Sequence, residues 1–181
     1  KVDILAERIR LINPLCTVTP IREYYSDKNA DELISPDLSY VVDAIDHKTA
    51  KIHLITHCKQ LGVPIIVSGG AGGRVDPSQV RITDLRDSYN DPLLAAIRKQ
   101  LRRNLGMHGQ HKKKFQIPCA FSAETIRYPD SDGGICFHKP PTDETPRQLD
   151  VRPGFGAAVF VTGSFGFAIA ARIIHDLVEA P

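Results

Sequence analysis

The sequence contains no C-x-x-C pair, no G-x-x-x-x-G-K-[ST] loop, no G-x-G-x-x-G turn and no strong excess of either charge. Each absence removes a class. The four cysteines, Cys16, Cys58, Cys119 and Cys136, are scattered, which argues against a zinc knuckle and for free thiols in a reducing compartment. Without a phosphate-loop signature, the glycines alone identify no nucleotide. A net charge of +2 means that any nucleic-acid surface has to come from local clustering. Nothing resembles a signal peptide, because Lys1 leads straight into an amphipathic segment. The first residue is not methionine, so the chain is expected to be a piece of a longer protein.

What is present is 181 residues, 42% of them hydrophobic, enough for one domain over residues 1–181 with a real core. Val2, Leu5, Ile9 and Ile12 recur at helical spacing, with Pro14 just past the end. "CTVTPIREYY" alternates and predicts a strand, and "DKNADELIS" a short helix. A buried strand is expected over Tyr40 to Ala44, then a helix stopping at Gly62, then strand "VPIIVS". "QVRITDL" reads as a strand. "DPLLAAIRKQLRRNLG" is a helix with Asp91 as cap and Pro92 at its first position. "FQIPCAFSAE" is a further strand, and "IRYPDSDGGICF" a hairpin. Residues 106–114 and 138–153 read as mobile loops. From Phe155 to Ala171 no residue is charged; the run reads as a buried or dimer-interface helix, with a bilayer span as the alternative. The order predicts an α/β fold with a mostly parallel, Rossmann-like sheet and flanking helices, incomplete at the N-terminus. A mixed C-terminal region ends it in the apolar helix.

In such sheets ligands bind outside the carboxyl ends of the strands. Two ends carry chemistry here. "VVDAID" ends at Asp43 and Asp46, and "IIVS" runs into Gly69, Gly70, Gly72 and Gly73, followed by Arg74. Asp46 could hold Mg²⁺ on a triphosphate or cap the next helix; both readings stay open. The glycine amides and Arg74 could meet an anion or developing negative charge. One or two glycines would suffice for a turn. Arg98, Lys99, Arg102 and Arg103, with Lys112, Lys113 and Lys114, form the one dense basic region: a solvated face, or a phosphate contact. His53 and His57 lie four apart on a helix but lack a third ligand, so they read as surface or packing residues.

The segments "KVDILAERIRLINP", "VVDAIDHKTAK", "SGGAGGRVDPSQV" and "GFGAAVFVTGSFGF", in this order, resemble the ubiquitin-activating-enzyme-like adenylating superfamily. Within it the resemblance is to the tRNA threonylcarbamoyladenosine dehydratases, over most of the chain. The resemblance implies ATP and Mg²⁺ as cofactors and tRNA as partner. The implied reaction is adenylation of the threonyl carboxylate of N6-threonylcarbamoyladenosine, with AMP leaving as the ring closes. It implies that Lys1 contacts phosphate, that Asp46 is the Mg²⁺-linked aspartate, and that Ala44, Ile45 and Lys51 belong to the ATP site. The glycine loop with Arg74 would lie beside the activated carboxylate, where close backbone approach excludes side chains. Arg98, Arg102, Arg103, Lys112, Lys113 and Lys114 become candidate tRNA contacts.

The family's upstream glycine loop, ribose-binding acid and phosphate-contacting arginine have no counterpart in this sequence. Relatives can carry a functional cysteine shortly before "GFG"; that position is Val151 here, which leaves Cys119 as the candidate thiol, weighed against a buried structural role. Two alternatives follow. One is an adenylating enzyme for a ubiquitin-like sulfur carrier, disfavoured by the missing cysteine pairs. The other is a non-catalytic fragment acting in dimerisation or RNA binding. The resemblance further implies a homodimer, with sulfur-transfer proteins as further candidate partners and no DNA partner. The expected location is the cytoplasm, or the mitochondrion or its outer membrane in a eukaryote, so membrane association stays open.

Overall fold

The computed structural model describes residues 1–106, 109–110, 113–129, 132, 134–138 and 156–179. Helix α1, Val2–Ile12, buries only Ala6 and is tied to the following segment by Arg22–Asp3 at 2.8 Å and Arg10 Nη2–Val18 O at 2.7 Å. That segment is not the expected strand. Its residues 16–25 are extended or bent but pair with no ladder among the described residues, and a strand exists only against a partner. The short helix α2, Ala30–Leu33, follows as expected.

The core is a four-stranded sheet of β1 (Val41–Asp43), β2 (Ile65–Ser68), β3 (Val80–Asp84) and β4 (Pro118–Ser122), in the order β1-β2-β4-β3. β1 and β2 are parallel, with Val41 opposite Ile65, and so are β2 and β4, with Val67 opposite Cys119. β3 closes one edge antiparallel to β4, with Ile82 opposite Ala120. The central strand β2 is apolar on both faces, as a strand covered twice must be.

Helices α3 (Lys48–Leu61) and α4 (Pro92–Asn104) cover one face. α3 stops at Gly62, whose φ of +72° is the left-handed turn that glycine supplies at low cost. α4 directs Leu94, Ile97 and Leu101 inward at 0% exposure, each contributing about 1.5–3 kcal/mol of apolar burial. Helix α5, Val159–Val178, covers the other face, with Val161, Phe165 and Ile169 packed at i, i+4, i+8 near Ile66 and Ala120. α5 is long and apolar enough to cross a membrane by length and composition, and here one stripe of it is committed to the sheet. Its other face leaves Val159, Phe160, Phe167 and Ile174 exposed. A small antiparallel pair, β5 (Tyr128–Pro129) and β6 (Ile135–Cys136), is the predicted hairpin.

Candidate functional site

The carboxyl ends of β1 and β2 open on one side of the sheet into a cleft of about 510 Å³ against α5, lined by Val42, Ala44, Ser68, Gly69, Ala71 and Phe165. Two turns reach its edge: the one after β1, through Ala44, and the glycine loop after β2, through Gly69 and Ala71. Each is held from beneath by a buried ion pair.

The first pair is Asp43 with Lys51, 3.0 Å apart and both 0% exposed. Lys51 lies one turn into α3, so the helix carries its ammonium back under the end of β1. Its Nζ also donates to the carbonyls of Ile45 at 2.9 Å and Asp43 at 3.3 Å. Asp43 Oδ1 accepts from Ile45 N at 2.9 Å, while Oδ2 has no hydrogen-bond partner among the described residues. Burial pushes the Asp43 carboxyl up and the Lys51 amine down, and the partner's charge opposes the shift in each. Lys51 is therefore not placed as the resemblance implies. A fully buried ammonium with three acceptors has no hydrogen left for a triphosphate.

Asp46 stands beyond this pair with its side chain in solvent. It does not cap α3. His47 does, accepting from Ala50 N through Nδ1 at 3.4 Å, so the capping alternative for Asp46 falls away. Ala44 is exposed on the cleft, and Ile45 is half-buried and packs toward the core. Lys1 is exposed at the start of α1 and makes no capping hydrogen bond there.

The second pair is Asp91 with Arg74, Oδ2 to Nη2 at 3.9 Å, with both side chains at or near zero exposure. Asp91 caps α4 as predicted, Oδ1 accepting from Leu94 N at 2.9 Å. It also does something the sequence did not show: Oδ2 accepts from Gly70 N at 2.9 Å. Arg74 donates to the carbonyls of Gly70 and, at 2.6 Å, Asn90. Its guanidinium thus faces inward, holding the loop from below, rather than outward as an anion contact. Burial lowers its pKa, against the pull of Asp91.

The same geometry corrects the reading of the glycines. A Cβ on Gly69 would overlap the Asp91 carboxylate, so the close approach that excludes a side chain there is to the protein's own Asp91. Gly69 N donates to Ala120 O at 2.8 Å and Gly73 N to Gly156 O at 3.2 Å, so with Gly70 three of the four loop glycine amides already have protein acceptors. Gly73 needs its glycine for backbone reasons, at φ +68°. Gly70 is different: a Cβ there meets only Arg74 Nη1 at 3.8 Å, and Gly72 lies half-exposed in the turn. Downstream, Glu124 Oε2 accepts from the amides of Val75 and Asp76, both at 2.9 Å, and anchors the loop's exit.

Cys119 is a structural thiol. It is buried in β4, and desolvation pushes its pKa up to about 12, far from the thiolate a nucleophile requires. The basic region divides. Arg98 is half-buried and donates to Ser88 Oγ, and Arg102 lies 5.0 Å over the Phe115 ring; both support packing. Arg103, Lys113 and Lys114 are exposed, and Lys112 lies outside the described residues, as do Val151 and 139–153. His53 and His57 stack at 5.8 Å; His53 hydrogen-bonds Tyr25 at 2.9 Å and His57 Nε2 lies 3.5 Å from the Asp31 carboxylate, a packing role as read. Sequence reasoning missed Asp43–Lys51 as a unit. The available signal was a carboxylate at an inward-facing position of a buried strand, which requires a partner.

The ThiF family model matches residues 1–179. The tRNA threonylcarbamoyladenosine dehydratase of Escherichia coli (strain K12) is 40% identical over 178 residues, 98% of this chain and 66% of that protein. A crystal structure of E. coli tRNA N6-threonylcarbamoyladenosine dehydratase in complex with ATP superposes with a TM-score of 0.77 at 35% identity, covering 99% of this chain and 64% of that one. Its complex with AMP gives 0.79 at 36% identity, over 99% and 65%. The chain thus spans about two thirds of the length of these relatives. The chain belongs to the ThiF family.

Proposed function

We propose that this chain is the larger part of an ATP-dependent enzyme that cyclises N6-threonylcarbamoyladenosine in tRNA. The threonyl carboxylate attacks the α-phosphorus of ATP and pyrophosphate leaves. Ring closure then expels AMP, which carries away the oxygen that the nucleoside loses. The net change is loss of one water from the nucleoside and conversion of one ATP to AMP and pyrophosphate.

The observation that carries this reading is the likeness over nearly the whole chain to a dehydratase crystallised with both ATP and AMP. Asp46 supports it, as an exposed carboxylate at the strand end where α/β sheets bind ligands. It fits Mg²⁺, because one exposed carboxylate plus triphosphate oxygens is how that ion is commonly held. The ion would supply charge neutralisation on the triphosphate. The residues themselves hold the turn and the loop beside an apolar cleft. Exposed Arg103, Lys113 and Lys114 are the candidate phosphate contacts for tRNA. The reading carries a cytoplasmic location and a homodimer with it.

The test incubates the full-length enzyme with tRNA bearing N6-threonylcarbamoyladenosine, ATP and Mg²⁺. Nucleoside mass spectrometry should show loss of one water, with AMP and pyrophosphate formed one-to-one. ATP turnover that needs a ubiquitin-like protein tail instead of tRNA would replace this reading with the sulfur-carrier one.

A further inference from the structure

We infer that Lys51, with Asp43, is a positioning residue for Asp46, acting through the backbone of Ile45 and not through any contact with nucleotide. The inference rests on the reading of Asp46 above. Three hydrogens of an ammonium go to three acceptors: Asp43 Oδ1 (3.0 Å), Asp43 O (3.3 Å) and Ile45 O (2.9 Å). Asp43 Oδ1 in turn takes Ile45 N at 2.9 Å. Both polar backbone groups of Ile45 are therefore bound to one buried pair. Asp46 is the next residue, and the one after it, His47, is fixed as the cap of α3. Asp46 sits between two clamped neighbours, so the point from which its carboxylate projects is fixed.

The alternative is that Lys51 swings out to a phosphate. To do so it would leave Asp43 at 0% exposure with no counter-charge and Oδ2 already unpartnered, and strip the Ile45 carbonyl of its donor. Breaking a buried pair this way is strongly unfavourable, so the ammonium stays.

The test is a double-mutant cycle in the full-length enzyme: Lys51→Met, Asp46→Ala and both together, each checked for an intact melting transition. Lys51→Met alone should lower kcat by about 10- to 100-fold, the scale of a small misplacement of a catalytic group, and raise the Mg²⁺ needed for half-maximal rate. ATP binding without Mg²⁺ should stay within about twofold of the parent, because no phosphate contact is lost. In the Asp46→Ala background, Lys51→Met should cost less than about twofold further, because its route of action is gone. Equal costs in the two backgrounds, or loss of Mg²⁺-free ATP binding, would overturn the inference. An Asp46→Ala enzyme with parental activity would instead overturn the reading of Asp46 on which it rests. If Lys51→Met does not fold, Asp43→Asn takes its place with the same expectations. Independently, an amine-acylating reagent on the unmodified enzyme should leave Lys51 unlabelled with or without ATP. Labelling that ATP prevents would contradict the inference.

Discussion

Replacing Gly69 with alanine asks which neighbour keeps the glycine loop bare. The added methyl would overlap the Asp91 carboxylate and come within 3.1 Å of Leu94 Cδ1 and 3.2 Å of Ala120 O. Ala120 belongs to β4 and cannot retreat, so Asp91 must. Moving it stretches the Gly70 N–H bond, now 2.9 Å, and weakens the pair with the buried guanidinium of Arg74. Overpacking costs about 1–3 kcal/mol and a hydrogen bond to a charged group about 1.5–3 kcal/mol, so partial relief leaves a net of about 2–4 kcal/mol. For a chain of this size that lowers Tm by about 5–15 °C. The assay is thermal unfolding without nucleotide or tRNA, beside Gly70→Ala. At Gly70 the nearest obstacle is Arg74 Nη1 at 3.8 Å, and the cost should stay below about 1 kcal/mol. A Gly69→Ala protein that melts with the parent but is inactive would refute the reasoning. It would mean that the bare backbone serves the substrate, as the sequence suggested, and not Asp91.

Further outcomes follow from the same geometry. Asp46→Ala should change stability by less than about 0.5 kcal/mol, because the side chain is exposed, while sharply lowering Mg²⁺-dependent turnover to a residual rate in a steady-state assay. Alkylation of the folded protein near neutral pH should modify exposed Cys16 before buried Cys58 and Cys119, read by peptide mass; early loss of Cys119 would contradict its structural role. Cys58 and Cys119 have ordinary thiol values of 9.0 raised by burial to about 11 and about 12, so the folded state keeps protons that the unfolded chain releases. Stability should be undiminished by these thiols below about pH 9 and fall as pH rises toward 11–12, by up to about 1.4 kcal/mol per unit for each thiol, in denaturant titrations at stepped pH. Arg103→Ala, Lys113→Ala and Lys114→Ala should each weaken tRNA binding and reduce the salt slope by about 0.9 per lost phosphate contact, whereas Arg98→Ala and Arg102→Ala should lower stability; equal salt slopes throughout would remove this surface from the tRNA reading.

Much of the fold was legible because it is written in local patterns. The cap at Asp91, the stop at Gly62 and the apolar run Ile65–Val67 each announce an element with near neighbours only. The segment over 16–25 was misread because alternation supplies half of a strand, and the other half is a partner elsewhere. At the site, the positions were visible and the directions were not. Asp46 and Arg74 look alike in sequence, each a charge beside a turn. One proves exposed and the other buried, because Asp91, seventeen residues after Arg74, arrives beneath the loop. Lys51 shows the same limit: no spacing rule says that a helical lysine will turn back under the preceding strand.

The central claim is that the threonyl carboxylate is activated by transfer to AMP. Its most direct test labels that carboxylate with oxygen-18 in the tRNA nucleoside, runs the full-length enzyme with ATP and Mg²⁺, and analyses the products. One labelled oxygen should appear in the phosphate of AMP, in step with cyclised nucleoside. Label found only in water, with AMP unlabelled, would contradict the account.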